Sequence, residues 1–475
     1  MTFEKKNIPK KSENLSQWYH RVILEAELAD YGPAKGTMIF RPYGYAIWEL
    51  IQKELDKKIK DKGVDNAYFP MLIPESLINK EKQHIKGFSP ELAIVTIGGG
   101  QKLTEKLVIR PTSETIIYDS FAKWISSWRD LPIQLNQWCN IVRWEKRTYP
   151  FLRTSEFLWQ EGHTAHTSHK EATNMVNWAI EVYKDIYQNF LALAGYVGSK
   201  SDLEKFAGAD KTMAYETLMP SGKALQSATS HDLGQNFSKT FNINYQDKKG
   251  KNQYVWQTSW GISTRCIGGM IMAHGDDNGL RLPPKIAPVQ VVIVPVKNDK
   301  DLLKYANKVY KIISEQDIRV KLDDRDDETM GYKINKWELR GAPIRIEIGP
   351  KELKEQNLTI VRRDNGEKIN LKFFLISKLN QLLDDIHDNL LKDTKEFLDK
   401  NTFDADNFDQ FKKIMKTTKG FIRANWCEDI ECETKIKELT KATTRCKTNE
   451  KIIKGAKCLY CDRNAKAQWL FAQAY

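Results

Sequence analysis

Between Tyr43 and about Lys62 the apolar residues Ile47, Leu50, Ile51, Leu55 and Ile59 recur at helical spacing, and the run closes at Gly63. That period predicts a long amphipathic helix. Residues 67–70, Ala-Tyr-Phe-Pro, read as a short strand ending at a proline, which lacks a ladder donor and suits a strand end or a sheet edge. A helix feeding such a strand can form a seam between two copies of a chain. Further along, the period changes to two: residues 141–145, 157–165 and 257–265 each set side chains on opposite faces. Strands of this kind, separated by helices of unequal length, predict a mixed sheet in an α+β domain. Past Arg281-Leu-Pro-Pro284 the pattern turns regular, with strand 289–296, helix 302–313, strand 320–322, helix 332–339 and strand 344–348. Such β/α alternation predicts a separate small domain. A further long helix carrying Leu375, Leu379, Leu382, Leu383, Ile386 and Leu390 leads into a cysteine-rich tail. Gly98-Gly99-Gly100 is too isolated for a phosphate loop and reads as a turn.

Length agrees with this division, since 475 residues suffice for roughly three domains, each with its own core. A hydrophobic fraction of 41% and 13 tryptophans fit a folded soluble protein. The longest obvious apolar run, 289–296, falls far short of the roughly 18 residues a membrane span needs, so no membrane role is expected. The opening Met-Thr-Phe-Glu-Lys-Lys has no apolar stretch behind its lysines and does not read as a secretory signal, which places the protein in the cytoplasm. A net charge of +12 and a pI near 9.0 suit a polyanionic partner such as nucleic acid, although a lysine-rich surface that merely solubilises gives the same number. Seven cysteines in a chain this long do not make a disulfide framework. Cys139 and Cys266 stand alone in apolar surroundings and read as inert buried thiols, whereas Cys427, Cys432, Cys446, Cys458 and Cys461 crowd the C-terminal end.

The densest group of reactive side chains runs from Arg143 to His163. Arg143 and Glu145 are expected on one strand face, residues 146–150 form a basic turn, and the returning strand offers Arg153, then Phe157, Trp159, Glu161 and His163 on a single face. Guanidinium groups match phosphate bidentately and an aromatic ring stacks on adenine, so this surface can bind a nucleotide. An exposed sheet with ordinary cross-strand ion pairs is the alternative. In residues 259–270 a strand presents Ser259, Gly261, Ser263 and Arg265 the same way before Gly268 and Gly269 open a helix, leaving room for a ligand beside the arginine. At the C-terminal end, Cys427-x4-Cys432 and Cys458-x2-Cys461 offer four thiolates in two close pairs, which fits a closed tetrahedral Zn²⁺ site with a folding role. Free thiols are the alternative, and Cys446 is a surplus.

In order, the helix and Pro70 strand, the Arg143-Trp-Glu145 hairpin with Phe157, and the glycine-rich strand with Arg265 resemble motifs 1, 2 and 3 of class II aminoacyl-tRNA synthetases. Arg110-Pro-Thr-Ser-Glu-Thr115 and the run Phe151 to His163 look like the prolyl-tRNA synthetase family within subclass IIa, and the resemblance extends through 206–210, 226–231 and 273–288. Fewer than 100 residues separate Gly162 from Trp260, too few for the bacterial editing insertion, and the cysteine-rich end looks like the archaeal and eukaryotic-type branch.

The resemblance implies an α+β fold: an antiparallel-sheet class II catalytic domain over 1–284, an α/β anticodon-binding domain over 285–400 and a small α/β zinc-binding domain over 401–475. It implies ATP-dependent attachment of L-proline to tRNA-Pro by a homodimer. Arg143 would grip the α-phosphate and the reacting carboxylate, with Arg265 as the second catalytic arginine; Arg265 and Phe157 would sandwich adenine, while Glu145, Arg153, Thr154, Gln226, Thr229 and Ser263 complete the ATP site. Thr112 and Glu114 would recognise the proline amine, a pairing that gives a protonated secondary amine an acceptor and a countercharge. Trp159, Glu161, His163, Phe206, His231 and Ser259 would wall the pyrrolidine pocket. Read alone, Thr112 could cap a helix beginning near Ser113, and the histidines and aromatics could be ordinary core residues. Glu338, Arg345 and Lys351 lie where the family's anticodon module reads bases, although solvated charges remain the plain alternative. Mg²⁺ is expected on the ATP phosphates, Cys427, Cys432, Cys458 and Cys461 are the expected zinc ligands, and Tyr475 is expected to fold back toward the catalytic domain. The competing readings are another subclass IIa synthetase and a non-catalytic RNA-binding paralogue; the latter usually lacks a motif arginine, and both are present.

Overall fold

The computed structural model describes residues 8–84, 92–297 and 299–475; the opening Met-Thr-Phe-Glu-Lys-Lys lies outside them. Among the described residues three sheets of four or more strands follow one another along the chain. The largest has seven strands in the spatial order Asp65–Asn66, Ile133–Val142, Glu156–His166, Trp256–Ser263, Ala224–Gly234, Lys211–Leu218 and Gly195–Ser199. The first pair is parallel and the others antiparallel, so the sheet is mixed, as its unequal spacing predicts.

One face of this sheet is apolar and covered. The helix His169–Asn189, started by the Ser168–Glu171 capping box, lays Met175, Ala179, Tyr183 and Tyr187 across it. Behind it runs Pro42–Asp61, the helix expected from the first apolar stripe, with Ile47, Ile51, Leu55 and Ile59 buried. Trp260 points to this side between Trp178 and Tyr183. Gly162 lies opposite it, and a Cβ there would come within 2.2 Å of the Trp260 ring, so only glycine permits the contact. The other face carries polar side chains and is open only in part, its far end being covered by the helices Glu114–Trp124 and Asn236–Phe241.

Three local expectations change. Strand pairing near Pro70 stops at Asn66 rather than covering 67–70, because the Phe69 N–H donates to the Gln137 side chain (2.5 Å) and Pro70 has no donor. The strand expected over 141–145 ends at Val142; Glu145 N–H donates to Arg143 O at 2.7 Å, a tight turn that denies Arg143 and Glu145 a common strand face. Arg265 is the first residue of the helix Arg265–His274, not the end of the strand, and Gly268 and Gly269 lie inside that helix, where a Cβ on Gly268 would meet Leu152 and the Tyr19 hydroxyl at 2.7 Å. Gly99 and Gly100, both at positive φ, turn the hairpin between Ala93–Gly98 and Gln101–Ile109, as expected.

The second sheet orders Val320–Leu322, Val291–Pro295, Ile344–Ile348, Asn357–Arg362 and Lys368–Lys372, parallel across its first three strands and antiparallel beyond. Leu379–Lys400 is the long leucine-bearing helix; Leu375 falls in the 3₁₀ turn before it. The last sheet orders Thr402–Asp404, Phe421–Trp426, Ala467–Gln473 and Ala442–Lys447. It is bolted to the first through a fully buried triad: Glu216 accepts from Lys200 (2.6 Å) and from Arg445 (2.8 Å). Burial alone would raise the Glu216 pKa, yet Arg445 and Lys200 hold it below the usual carboxylate value. Arg445→Ala leaves a buried charge short of its partner and should cost about 3–5 kcal/mol in urea unfolding of this region. A loss under about 1 kcal/mol would refute the bolt.

Candidate active site

The floor of the open face is three adjacent strands in register. Glu161 is opposite Gly261, which is opposite Thr229; His163 is opposite Ser259, which is opposite His231; Trp159 is opposite Ser263. Period-two alternation therefore brings Phe157, Trp159, Glu161, His163, Ser259, Ser263, Thr229 and His231 into one cleft of about 200 Å³, joined by Thr112, Glu114, Arg143, Phe206, Gln226 and Arg265. Gln226 and Thr229, three residues apart, share a face because a bulge in the pairing with Tyr215 and Glu216 inserts Ser227.

Two guanidinium groups define one end. Arg143 donates Nε to Pro111 O (3.0 Å) and lies over the Phe157 and Trp159 rings. Arg265 donates to Leu152 O (3.0 Å) and Gln226 O (3.2 Å). Main-chain carbonyls fix their direction without neutralising them. Desolvation, then the charges of Arg143 and Arg153, pull the Arg265 pKa down to about 10, still a cation near neutral pH. Desolvation likewise lowers Arg143, against the pull of Glu114, Glu145 and Glu161. Positive charges held near one another at an energetic cost make an anion site.

At the other end is a narrow, hydrogen-bonded slot. Thr112 donates to Glu114, the first residue of the helix Glu114–Trp124, so Thr112 precedes rather than caps that helix, whose N-cap is Ser113. Glu161 accepts from Ser113, from Gln137 Nε2 (2.8 Å) and from His163 Nε2 (2.9 Å), while Tyr118 OH meets His163 Nδ1 at 3.2 Å. Burial would lower the His163 pKa, but Glu161 and then Glu114 outweigh it and raise it; Glu161 is correspondingly lowered against its own burial. His231, pushed down to about 3 by burial and then the His163 charge, is neutral; it pairs with Thr212 Oγ1 (2.9 Å) and packs against Phe206 with ring centroids 4.6 Å apart and the planes tilted by 32°. Ser259 Oγ is buried with no partner among the described residues and lines the cleft, so a ligand atom is its natural acceptor or donor.

Three expected nucleotide residues are outside this lining. Arg153 donates to the Tyr475 main-chain oxygen (3.0 Å), Thr154 gives its hydroxyl to Glu156 O (2.6 Å) and borders a separate cavity beside Gly36, and Glu145 is in the hairpin turn. Tyr475 folds back as expected: its N–H donates to Ala224 O and its hydroxyl accepts from Ser221. Glu204 and Thr212 line the cleft without having been expected there; Thr212 comes in on the strand Lys211–Leu218, opposite His231, and Glu204 on the loop that precedes that strand. Cys139 is half-buried rather than isolated: its Sγ accepts from Trp159 Nε1 (3.2 Å) and borders Glu161, and burial with the Glu161 charge keeps it a thiol. Cys266 is buried, its pKa pushed up to about 12 by burial.

Comparison with known proteins decides the family. Residues 96–274 match the model "tRNA synthetase class II core domain (G, H, P, S and T)", 290–380 match "Anticodon binding domain", and 408–475 match "Prolyl-tRNA synthetase, C-terminal". The proline–tRNA ligase of Natranaerobius thermophilus is 48% identical, covering 99% of this chain and 98% of its own. The chain belongs to the prolyl-tRNA synthetase family. Proline–tRNA ligase 2 of Clostridioides difficile is also 48% identical, with 98% of both chains covered. Among solved structures, prolyl-tRNA synthetase from Cryptosporidium parvum complexed with halofuginone and AMPPNP superposes with a TM-score of 0.95 at 44% identity, covering 98% of this chain and 99% of that one. The same Cryptosporidium parvum synthetase complexed with L-proline and AMP matches at 0.95 and 42%, covering 100% and 99%.

Elsewhere in this prolyl-tRNA synthetase family member, Glu338 and Arg345 line a cavity of about 240 Å³ with Asp276, Arg362 and Arg363, whereas Lys351 is exposed on the short helix Pro350–Glu355 and not part of that lining. The sulfurs of Cys427, Cys432, Cys458 and Cys461 all lie within 4.8 Å of one another, with Cys427–Cys461 and Cys432–Cys458 at 3.6 Å. Cys446 is not among them; it is buried in Ala442–Lys447 near Gly198.

Proposed function

We propose that the two ends of the cleft hold ATP and proline side by side, Arg143 spanning the join. The single observation that carries this reading is two cationic guanidinium groups, without carboxylate partners among the described ion pairs, beside a buried slot whose Ser259 hydroxyl has no partner among the described residues. The chain is a proline–tRNA ligase. Proline's carboxylate attacks the α-phosphorus of ATP in line, pyrophosphate leaves, and the 3′-terminal adenosine hydroxyl then attacks the mixed anhydride. No protein nucleophile is needed; positioning and charge neutralisation do the catalysis.

In this reading Arg143 grips the α-phosphate and the attacking carboxylate. Phe157 and Arg265 take adenine between them, and Gln226, Thr229 and Ser263 contact the sugar side. Thr112 and Glu114 receive the imino group, while Trp159, Glu161, His163, Phe206, His231 and Ser259 enclose the ring. The Glu161–His163 pair, buttressed by Ser113, Gln137 and Tyr118, is rigid enough to shape the slot. Arg153, Thr154 and Glu145 approach the nucleotide at its outer edge, where Arg153 would have to exchange its bond to Tyr475 for a phosphate.

Mg²⁺ is assigned to the triphosphate: among the described residues the cysteine cluster is the only grouping of three or more potential ligands, so this cation arrives with its substrate and offsets phosphate charge. Zn²⁺ is assigned to Cys427, Cys432, Cys458 and Cys461, since a tetrahedral site with bonds of about 2.3 Å spaces its sulfurs about 3.8 Å apart. Arg463 donates to Cys461 Sγ (3.2 Å), countering thiolate charge. Glu338 and Arg345 are assigned to tRNA anticodon bases, with Lys351 as a peripheral phosphate contact. Domain limits of 1–284, 285–400 and 401–475 fit the three sheets and the three matched segments. A homodimer is supported by the exposed Tyr31, Ile39, Tyr45, Tyr68 and Leu72 of the N-terminal segment, which also supplies the sheet-edge strand Asp65–Asn66. No helix among the described residues is long and apolar enough to cross a membrane, and the substrates belong to the cytoplasm.

ATP–pyrophosphate exchange across the amino acids is the test. Proline should stimulate exchange and threonine and serine should not, because the slot is closed around a ring and offers its carboxylate to a secondary amine. Stimulation by serine or threonine in place of proline would move the chain to a sister subclass IIa activity, and no stimulation by any amino acid would favour the non-catalytic paralogue.

A further inference from the structure

The loop that walls the slot is held from outside by the C-terminal module. Residues 200–210 connect Gly195–Ser199 to Lys211–Leu218 and carry Glu204 and Phe206, both of which line the cleft. Within the cleft, Phe206 N–H donates to Thr212 Oγ1 (3.0 Å), the same hydroxyl that meets His231. The first turn of the loop closes on the helix Ile430–Thr440 instead. Ser201 Oγ donates to Glu433 Oε1 (2.8 Å), Thr444 donates to the same oxygen, and Lys437 Nζ is 3.3 Å from Glu204 Oε1. Ser201, Glu433 and Thr444 are all buried. Glu433 directly follows Cys432, so one turn of helix carries both a sulfur of the thiol cluster and the acceptor that fixes the loop.

We infer that Glu433 is a positioning residue for the amino-acid substrate: through Ser201 it sets the loop that brings Glu204 and Phe206 against the slot. Residues 201–206 form no helix or strand, only a turn in which the Glu204 and Lys205 N–H groups donate to Ser201 O, and such an exposed turn samples more conformations unless something outside restrains it. The contact is not what docks the module. That task falls to the Glu216–Arg445–Lys200 triad and to the backbone approach at Gly198, where a Cβ would come within 2.3 Å of Lys447 O. Losing the Ser201–Glu433 bond should therefore loosen the loop without detaching the module. Proline binding should weaken, while the ATP end, floored by other strands, should not respond. The inference rests on the slot being the proline site.

The experiment uses the full-length protein and measures KM for proline and for ATP in pyrophosphate exchange, together with melting temperature and bound zinc. Glu433→Ala and Ser201→Ala should each raise the proline KM about fivefold to tenfold, through the loss of the buried Ser201–Glu433 hydrogen bond that both variants break, with ATP KM and kcat within about twofold. Glu433→Gln keeps an acceptor oxygen toward both hydroxyls and should stay within about twofold of the parent. If Glu433→Ala fails to fold or to hold zinc, Ser201→Ala, which breaks the same bond from the catalytic side, decides. An unchanged proline KM in Ser201→Ala, proline and ATP KM rising together, or Glu433→Gln behaving like Glu433→Ala would each overturn the inference. Phe206→Ala separates it from the reading beneath: if Phe206→Ala raises the proline KM and Ser201→Ala does not, the slot stands and the clamp falls. If Phe206→Ala leaves it unchanged, the slot assignment fails and takes the clamp with it.

Discussion

Arg265→Ala should abolish adenylate formation while leaving tRNA binding nearly intact. The side chain starts the helix Arg265–His274 and is aimed by two carbonyls, Leu152 O and Gln226 O, so its position is set before any ligand arrives. Removing one pre-aimed donor from a site of developing charge typically costs about 10²–10³ in rate. In the proposed reading the same group also supplies one face of the adenine sandwich, so the exchange rate should fall by at least about 10³. Arg265→Lys is the instructive companion. It keeps a charge but loses the planar fork that satisfies both carbonyls, and should recover only a small part of the activity. tRNA affinity, which the proposed reading assigns largely to the second sheet and the basic surface, should change less than about threefold in filter binding. Exchange retained within about tenfold of the parent would remove Arg265 from the nucleotide site.

Why Arg265 was legible as important but not as helical is a lesson in what period-two patterns can and cannot give. Ser259, Gly261 and Ser263 alternate correctly, and extrapolating that alternation by one step puts Arg265 on the same strand face. The chain instead turns at Thr264, and the arginine reaches the cleft from the first turn of a helix. The right face was reached by a different backbone. Arg143 follows the same logic, since pairing ends at Val142 and a tight turn does the aiming. Positions set by regular pairing, such as Trp159, Glu161 and His163, could be read directly, and so could the helix Pro42–Asp61, whose stripe faces the core. Gln226 could not, because a bulge is invisible to periodicity. Nor could the buttress of Glu161 by Gln137, or the loop carrying Glu204, since both depend on distant segments meeting. Family resemblance identified most of the cleft's lining residues; it did not reveal that Arg153 spends its hydrogen bond on the main-chain oxygen of Tyr475.

Cys458→Ser should strip the C-terminal module of its metal and unfold it, whereas Cys446→Ser should do neither. Cys458 and Cys432 are buried at the centre of a small core that also holds Trp426, Ile436 and Trp469, and two of the four sulfurs come from a turn with little regular structure around it. A module of this size buries too little apolar surface to be secure alone. Structural zinc supplies an apparent ~10–16 kcal/mol in such peptides, so losing one of four ligands should be decisive there. Bound zinc should drop from about one equivalent per chain to near zero, and the fluorescence of Trp426 and Trp469 should report loss of their edge-on packing at 5.1 Å. Chelation of the parent protein should reproduce both signals, and added zinc should reverse them. Zinc retained at one equivalent in Cys458→Ser, or lost in Cys446→Ser, would overturn the ligand assignment. The helix Ile430–Thr440 ties this result to the cleft. It carries Cys432 and Glu433 on adjacent positions, so metal loss should also release Ser201 and raise the proline KM ahead of the ATP KM. A metal site far from the chemistry would then act on amino-acid binding through a single turn of helix, with order in the loop as the quantity transmitted.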